Sequence, residues 1–232
     1  MIKRNYERLI AAAEALRPLS GELVYVGGAI TELLVTDEGA ADSRVTKDVD
    51  VIARITSYAA YSELGERLRE LGFSEDTSEG APICRWLKGE MKLDAMPTDQ
   101  AILGFANHWH KKAVEEPDDY RIAADLVIRI ATAPLFVAMK IEAFRDRGEG
   151  DFVMSHDLED VVAVVDGRES LVSELQESGS EVRQYVGEQI TALLETREFL
   201  DALPGHLPPD DASQDRIELV LQRLRAIAAV AT

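Results

Sequence analysis

The 232 residues contain a single cysteine, Cys84, so no disulfide can form within the chain. A lone thiol fits a reducing compartment, and its plain role is that of a small buried apolar residue. No apolar run approaches the roughly 20 residues of a membrane-spanning helix. Residues 9–16 are too short for a secretory leader and carry Glu14. The expectation is a cytoplasmic protein with no membrane segment. Basic residues are also scarce, 25 against 43 acidic ones, for a formal net charge of -18. That balance argues against a broad phosphate-binding surface and disfavours a nucleic-acid acceptor, although a local basic patch can sit on an acidic protein. Carboxylates gathered near a site would instead attract divalent cations. Walker A, Rossmann glycine and zinc-finger spacings are absent, as is any Gly-x-Ser-x-Gly.

What is present is ordinary for a globular chain: 46% hydrophobic and 29% charged residues. Residues 4–17 carry Leu9, Ala12, Ala13 and Leu16 on one helical stripe, which Pro18 and Gly21 end. Residues 22–26 read as a buried strand running into Gly27-Gly28, and 29–35 as a helix. A polar loop, 36–47, precedes a strand over 48–55, in which Asp48 and Asp50 share one face and Val49 and Val51 the other. A helix over 57–71 follows. Two extended runs, 83–88 and 91–96, flank Gly89-Glu90 as a hairpin would. After residue 105 one more strand, 125–130, is expected, and then helices only. These start with Pro134 to Arg147 and a helix capped by Ser155, continue over about 169–177 and 181–202, and end, beyond a linker at 204–211, with Ile217 to Ala228. The fold class is α/β (α+β): a small mixed sheet with flanking helices over 1–105, then a mainly helical half over 106–232.

Five features carry chemistry. Gly27-Gly28 sits between a strand and a helix, where bare backbone lets a phosphate approach free N–H groups; a tight structural turn is the other reading. Asp48 and Asp50 project from one strand face roughly 7 Å apart and would repel unless a cation lay between them; a solvated edge strand is the alternative. Asp94, in the middle of the hairpin's second strand, needs a partner or a reason. Three carboxylates from neighbouring strands suit a two-metal phosphoryl-transfer site. Lys140 lies among Phe136, Val137, Met139, Ile141 and Phe144, so its ammonium must meet an anion or reach water. A triphosphate is one candidate, and Asp157 or Asp160 is another. Arg44 either neutralises a phosphate or is a solvated loop residue.

The succession Gly27-Gly28, Arg44-x-Thr46-x-Asp48-x-Asp50 and a later Asp94 resembles the polymerase-beta-like nucleotidyltransferase superfamily. Residues 133–145, with Lys140, and 155–160, with Asp157 and Asp160, resemble its AbiEii-type branch, which contains many toxins of bacterial toxin–antitoxin and phage-defence pairs. The resemblance covers about residues 22–175. It implies that Asp48, Asp50 and Asp94 are the catalytic and metal-binding residues, with magnesium or manganese as cofactor. It assigns Gly27, Gly28, Arg44, Lys140, Asp157 and Asp160 to the nucleotide. The activity it implies is transfer of a nucleoside monophosphate from a triphosphate to an acceptor: RNA (tRNA included), a protein hydroxyl or a small molecule. A partner antitoxin follows only by analogy. The chain departs from many relatives in the 20 positions from Gly28 to Asp48, the extra length falling in the polar loop.

Two rivals remain. His156-Asp157, with His108 or His110 and Asp201, could form an HD-type phosphohydrolase centre, but the helical spacing of His108 and His110 is poor for one metal. Surface or capping positions explain all four histidines more cheaply. Alternatively, the fold is a retired nucleotidyltransferase that serves as a binding partner.

Overall fold

A computed structural model describes residues 4–148 and 150–231. In chain order the main elements are α1 (Arg4–Ala15), β1 (Leu23–Val26), α2 (Thr31–Leu34), β2 (Val49–Ala53), α3 (Tyr58–Glu70), β3 (Ser74–Glu75), β4 (Arg85–Lys88) and β5 (Met91–Pro97). Then come α4 (Gln100–Leu103), α5 (His110–Glu115), β6 (Asp118–Ala123), β7 (Leu126–Ile130), α6 (Ala133–Arg147), α7 (His156–Gly167), α8 (Leu171–Glu177), α9 (Ser180–Glu195), α10 (Arg197–Ala202), α11 (Asp211–Gln214) and α12 (Ile217–Ala228). The chain divides into two compact units. The first runs to Ile30 and resumes from Val45 to Thr132; the second takes Thr31–Arg44 and everything from Ala133 onward. No helix among the described residues is long and apolar enough to cross a membrane.

The first unit is built on a seven-stranded mixed sheet, ordered β3-β4-β5-β2-β1-β7-β6. Inside it lies β1, four buried residues (Leu-Val-Tyr-Val), antiparallel to the central strand β2 and parallel to β7. β2 runs parallel to β5, and β4 and β5 form the antiparallel hairpin expected around Gly89-Glu90, with Gly89 at φ 59°. Such a φ suits glycine in a two-residue turn. The class expected from the sequence, mixed α/β, is the class observed.

The differences have local causes. The segment 29–35 is a 3-10 turn, Gly28–Ile30, followed by α2 rather than one helix. Asp48 lies in the bend before β2, not inside the strand. Two strands were not foreseen. β3 has two exposed residues, and β6 (Asp118–Ala123) has one buried residue, Ile122, amid acidic and basic neighbours. An edge strand with one apolar anchor shows little alternation. The helix expected over 181–202 breaks at Thr196, and the 204–211 linker opens as a 3-10 turn in which His206 and Leu207 are buried.

The second unit centres on α6, buried from Ala133 to Ile141. α7 supplies Leu158, Val161, Val162, Val164 and Val165 to its core, and α12 supplies Val220, Leu224 and Ile227. At Gly167 any Cβ would fall 2.5 Å from a Val35 methyl carbon, and the Gly167 carbonyl accepts the N–H groups of Thr36 and Asp37.

Two histidines expected on the surface are inside. The His206 Nε2–H donates to the Phe152 carbonyl at 2.8 Å. His110, at the start of α5, is 6% exposed, and its Nδ1 has no partner among the described residues. Burial pushes the His110 pKa down to about 4, against a weaker opposing contact to the Pro97 backbone. The unfolded chain binds a proton there near pH 6.5 and the folded chain does not, so stability is lost as pH falls from about 6.5 towards 4. Urea titrations over that range should show a decline of up to about 3 kcal/mol. His110→Gln should flatten that segment, and an unchanged slope would place the titration elsewhere.

Candidate functional site in the sheet-bearing unit

The register of the sheet brings the expected carboxylates together. Asp50 of β2 is the direct parallel neighbour of Asp94 of β5, and across β1 the partner of Asp50 is Val26. Neighbouring strands lie about 4.8 Å apart, and residues in register share a face. Asp48 precedes Asp50 by two residues, and its side chain is 32% exposed, against 9% for Asp94. The site therefore opens toward solvent at its Asp48 end.

Gly27 ends β1 beside Asp50 with φ 70°. A Cβ built there would lie 1.9 Å from the Asp50 Oδ2. The glycine is required twice over, by its left-handed backbone and by the carboxylate seated against it. Gly28 is buried and opens the 3-10 turn.

α1 sets the approach to β2. The Asn5 Oδ1, buried, accepts the Thr46 N–H at 2.9 Å, and Arg8 donates to the Thr46 carbonyl. The Thr46 hydroxyl donates to the Asp48 carbonyl at 3.2 Å. Thr46, one of the motif positions, thus works as a clamp on the segment that delivers Asp48.

Sequence reasoning missed Arg85. It stands opposite Asp94 in the β4–β5 register. Its Nε and Nη2 donate to the two Asp94 oxygens at 2.8 and 2.7 Å, and Nη2 also donates to the Asp48 Oδ2 at 2.8 Å. The signal was available: a two-residue turn at 89–90 pairs 88 with 91 and therefore 85 with 94. Cys84, next to it, is buried, and burial with the added repulsion of Asp94 pushes its thiol up to about 12. A neutral thiol is no nucleophile. Burial likewise takes Tyr61 up to about 12; its hydroxyl donates to the Ala95 carbonyl at 3.3 Å.

Whether these residues suit a divalent cation is decided by the donor set. Three carboxylates supply the hard oxygens that magnesium prefers, and a cation is already held between two of them, the Arg85 guanidinium. Among the described residues no group of three acidic, histidine or cysteine side chains stands ready to hold a metal ion; the place between Asp48 and Asp94 is filled by Arg85. The residues fit a metal in kind, with Arg85 as its competitor. A cleft of about 360 Å³ in the same unit lies at the other ends of β1 and β2, by Leu23 and Ala53, and is lined by Arg54, Arg67 and Arg129.

The remaining expected residues belong to the second unit, where they pair with one another. Lys140, 7% exposed, donates to the Asp157 Oδ1 at 3.0 Å and lies 2.7 Å from the Asp160 Oδ2. Of the anions open to it from the sequence, both aspartates are found. Arg44 donates to both Asp160 oxygens at 2.9 Å, and Arg147 to both Asp157 oxygens. Burial opposes the charge on Lys140, but Asp160 and Asp157 outweigh it and raise its pKa. Burial also opposes the charge on Asp157, and Lys140 and Arg147 outweigh it and lower its pKa. The adjacent His156-Asp157 does not act as a unit: the His156 Nδ1 lies 3.1 Å from Glu159, while Asp157 faces Lys140 and Arg147. The HD-type reading has no geometric support.

The chain matches no protein-family model. No curated protein matches it in sequence. It is similar to an antigenic nucleotidyltransferase-like protein from Paracoccidioides brasiliensis, with a TM-score of 0.49 and 15% identity over 86% of this chain and 93% of that one. It is also similar to JHP933 from Helicobacter pylori, with a TM-score of 0.46 and 12% identity over 97% of this chain and 92% of that one.

Two outcomes are expected from this geometry. Asn5→Ala, which strands the buried Thr46 N–H, should cost about 1–3 kcal/mol in denaturant unfolding; a neutral effect would make the clamp incidental. Lys140→Met should cost about 3–5 kcal/mol, because it leaves two buried carboxylates short of a cation. Its Asp157 contribution holds at neutral pH and is lost as pH falls through the depressed carboxylate pKa. The Lys140 contribution is lost as pH rises through its elevated one. A melting temperature unchanged in Lys140→Met would show that the cluster does not hold the second unit together.

Proposed function

We propose that the chain is a magnesium-dependent nucleotidyltransferase that moves a nucleoside monophosphate from a triphosphate to an acceptor hydroxyl. The observation that carries this is the in-register pairing of Asp50 with Asp94, with Asp48 two residues before, behind the Gly27-Gly28 turn. A binding surface has no need of three like charges side by side; a phosphoryl-transfer site does. Asp48, Asp50 and Asp94 would hold the metal, which when bound would screen the triphosphate and lower the pKa of the attacking hydroxyl. Gly27 and Gly28 leave the backbone bare where phosphate oxygens would approach. Asp94, nearly buried in the middle of β5, is the residue best placed to orient the acceptor.

The acceptor classes are RNA, a protein hydroxyl or a small molecule. The net charge of -18 favours the last two. The sequence resemblance to the AbiEii-type branch supports a toxin paired with an antitoxin as the cellular role. A second reading, a retired fold that binds a partner, is favoured by one observation: Arg85 already occupies the place between Asp48 and Asp94 that a metal would need.

Calorimetry with ATP, GTP, CTP and UTP, each with and without Mg²⁺, separates the two. Metal-dependent binding of one triphosphate, lost in Asp48→Asn/Asp50→Asn, is the expected result. No binding of any of the four would favour the retired fold. Asp50→Asn should abolish transfer of the labelled nucleotide with its melting temperature retained, and retained activity would remove the metal assignment.

A further inference from the structure

Arg85 makes three charge-assisted hydrogen bonds, all to carboxylates assigned to the metal. Such a contact has two physical readings. It is a fixed strut, or it is a resident cation that gives up its place when a stronger one arrives. One guanidinium between two carboxylates, Asp48 and Asp94, leaves that pair one negative charge in excess. Side-by-side carboxylates in that state attract a divalent ion. The Asp48 end is open enough for exchange, since the Asp48 side chain is a third exposed. The planar guanidinium that chelates a carboxylate forms the same paired bonds with a phosphate.

We propose that Arg85 changes partners during nucleotide binding. It holds Asp48 and Asp94 together until a metal–triphosphate arrives; the carboxylates would then hold the metal, and the guanidinium would pass to the phosphates. No covalent bond changes. The inference rests on the reading of Asp48, Asp50 and Asp94 as metal ligands. It assigns Arg85 two tasks: keeping free divalent ions from filling the site, and contacting the triphosphate once displaced.

The experiment is Mn²⁺ binding to the full chain, followed by the electron paramagnetic resonance signal of free Mn²⁺, for wild type and Arg85→Gln. The glutamine keeps hydrogen-bond donors and removes the charge. The expected result is Mn²⁺ binding about tenfold or more tighter in Arg85→Gln, the size of an ordinary coupling between two competing ligands. Equal or weaker binding in the variant overturns the proposal while leaving the metal site standing. No Mn²⁺ binding to either protein overturns both. A measurement on wild type alone guards against a variant that fails to fold. The Arg85 Nε–H resonance of ¹⁵N-arginine-labelled protein should shift on adding saturating Mg²⁺ with tripolyphosphate. An unmoved resonance makes Arg85 a strut.

Discussion

The parallel register of β2 and β5 is the constraint on which the candidate site depends. It sets Asp50 beside Asp94, two carboxylates whose repulsion at about 5 Å amounts to roughly 3 kcal/mol at an effective dielectric near 20. A sheet does not place like charges this way without a counter-charge. Arg85 meets that need from β4, on the far side of β5, and it reaches Asp48 as well. Gly27 meets a second need by leaving the volume into which the Asp50 carboxylate folds. One strand pairing thus fixes the identity of residues on two others. A one-residue slip between β2 and β5 would set Asp50 beside Leu93 or Ala95 and turn the polar face into the core.

The stabilising devices of the two units differ in kind. In the first, charges gather at a strand face that stays partly open, and the acid excess is local. In the second, part of the charge on α6 and α7 is enclosed. Lys140, Asp157 and Asp160 are nearly inaccessible, and Arg44 and Arg147 complete a chain of alternating sign. A second such group joins Arg216 to Asp166 and Asp37. Pairs of this kind gain little over an apolar core, yet their half-removal is costly. They tie the 31–44 segment to α7 through Arg44 and Asp37, beside the apolar contact of Val35 with Gly167.

The sheet's centre was legible because its strands carry the pattern that burial demands. β1 is wholly apolar, β2 alternates at its start, and Gly89-Glu90 marks the hairpin. Asp94 was legible as a problem, a carboxylate in an apolar run, and its answer was legible too. The two-residue turn puts Arg85 opposite it, which follows from counting back across the hairpin. β6 was not legible, since an edge strand with only Ile122 buried gives no period to detect. His110 was misjudged for a related reason: a short helix of His-Lys-Lys looks solvated, and only the tertiary packing of α5 encloses its first residue. For Lys140, burial was legible from its neighbours, but the choice of anion was not, because Asp157 and Asp160 lie on a different helix and nothing local says which way they turn.

A metal-binding site and an arginine salt bridge are built from the same carboxylates, and the difference lies in what each does to the energy of exchange. A strut gains from being buried on every side, whereas Arg85 contacts one nearly buried carboxylate and one that is a third exposed. Its bond to Asp94 is the stronger tie, paired and enclosed; its bond to Asp48 is single and reached by water. Release would begin at Asp48, the carboxylate nearest solvent, and would leave Asp94 still chelated until a second cation completed the set. That order makes the weaker contact the entry point and the buried one the commitment. It is the sequence of events that a site would need if it were to ignore free ions and respond to an ion delivered with phosphate.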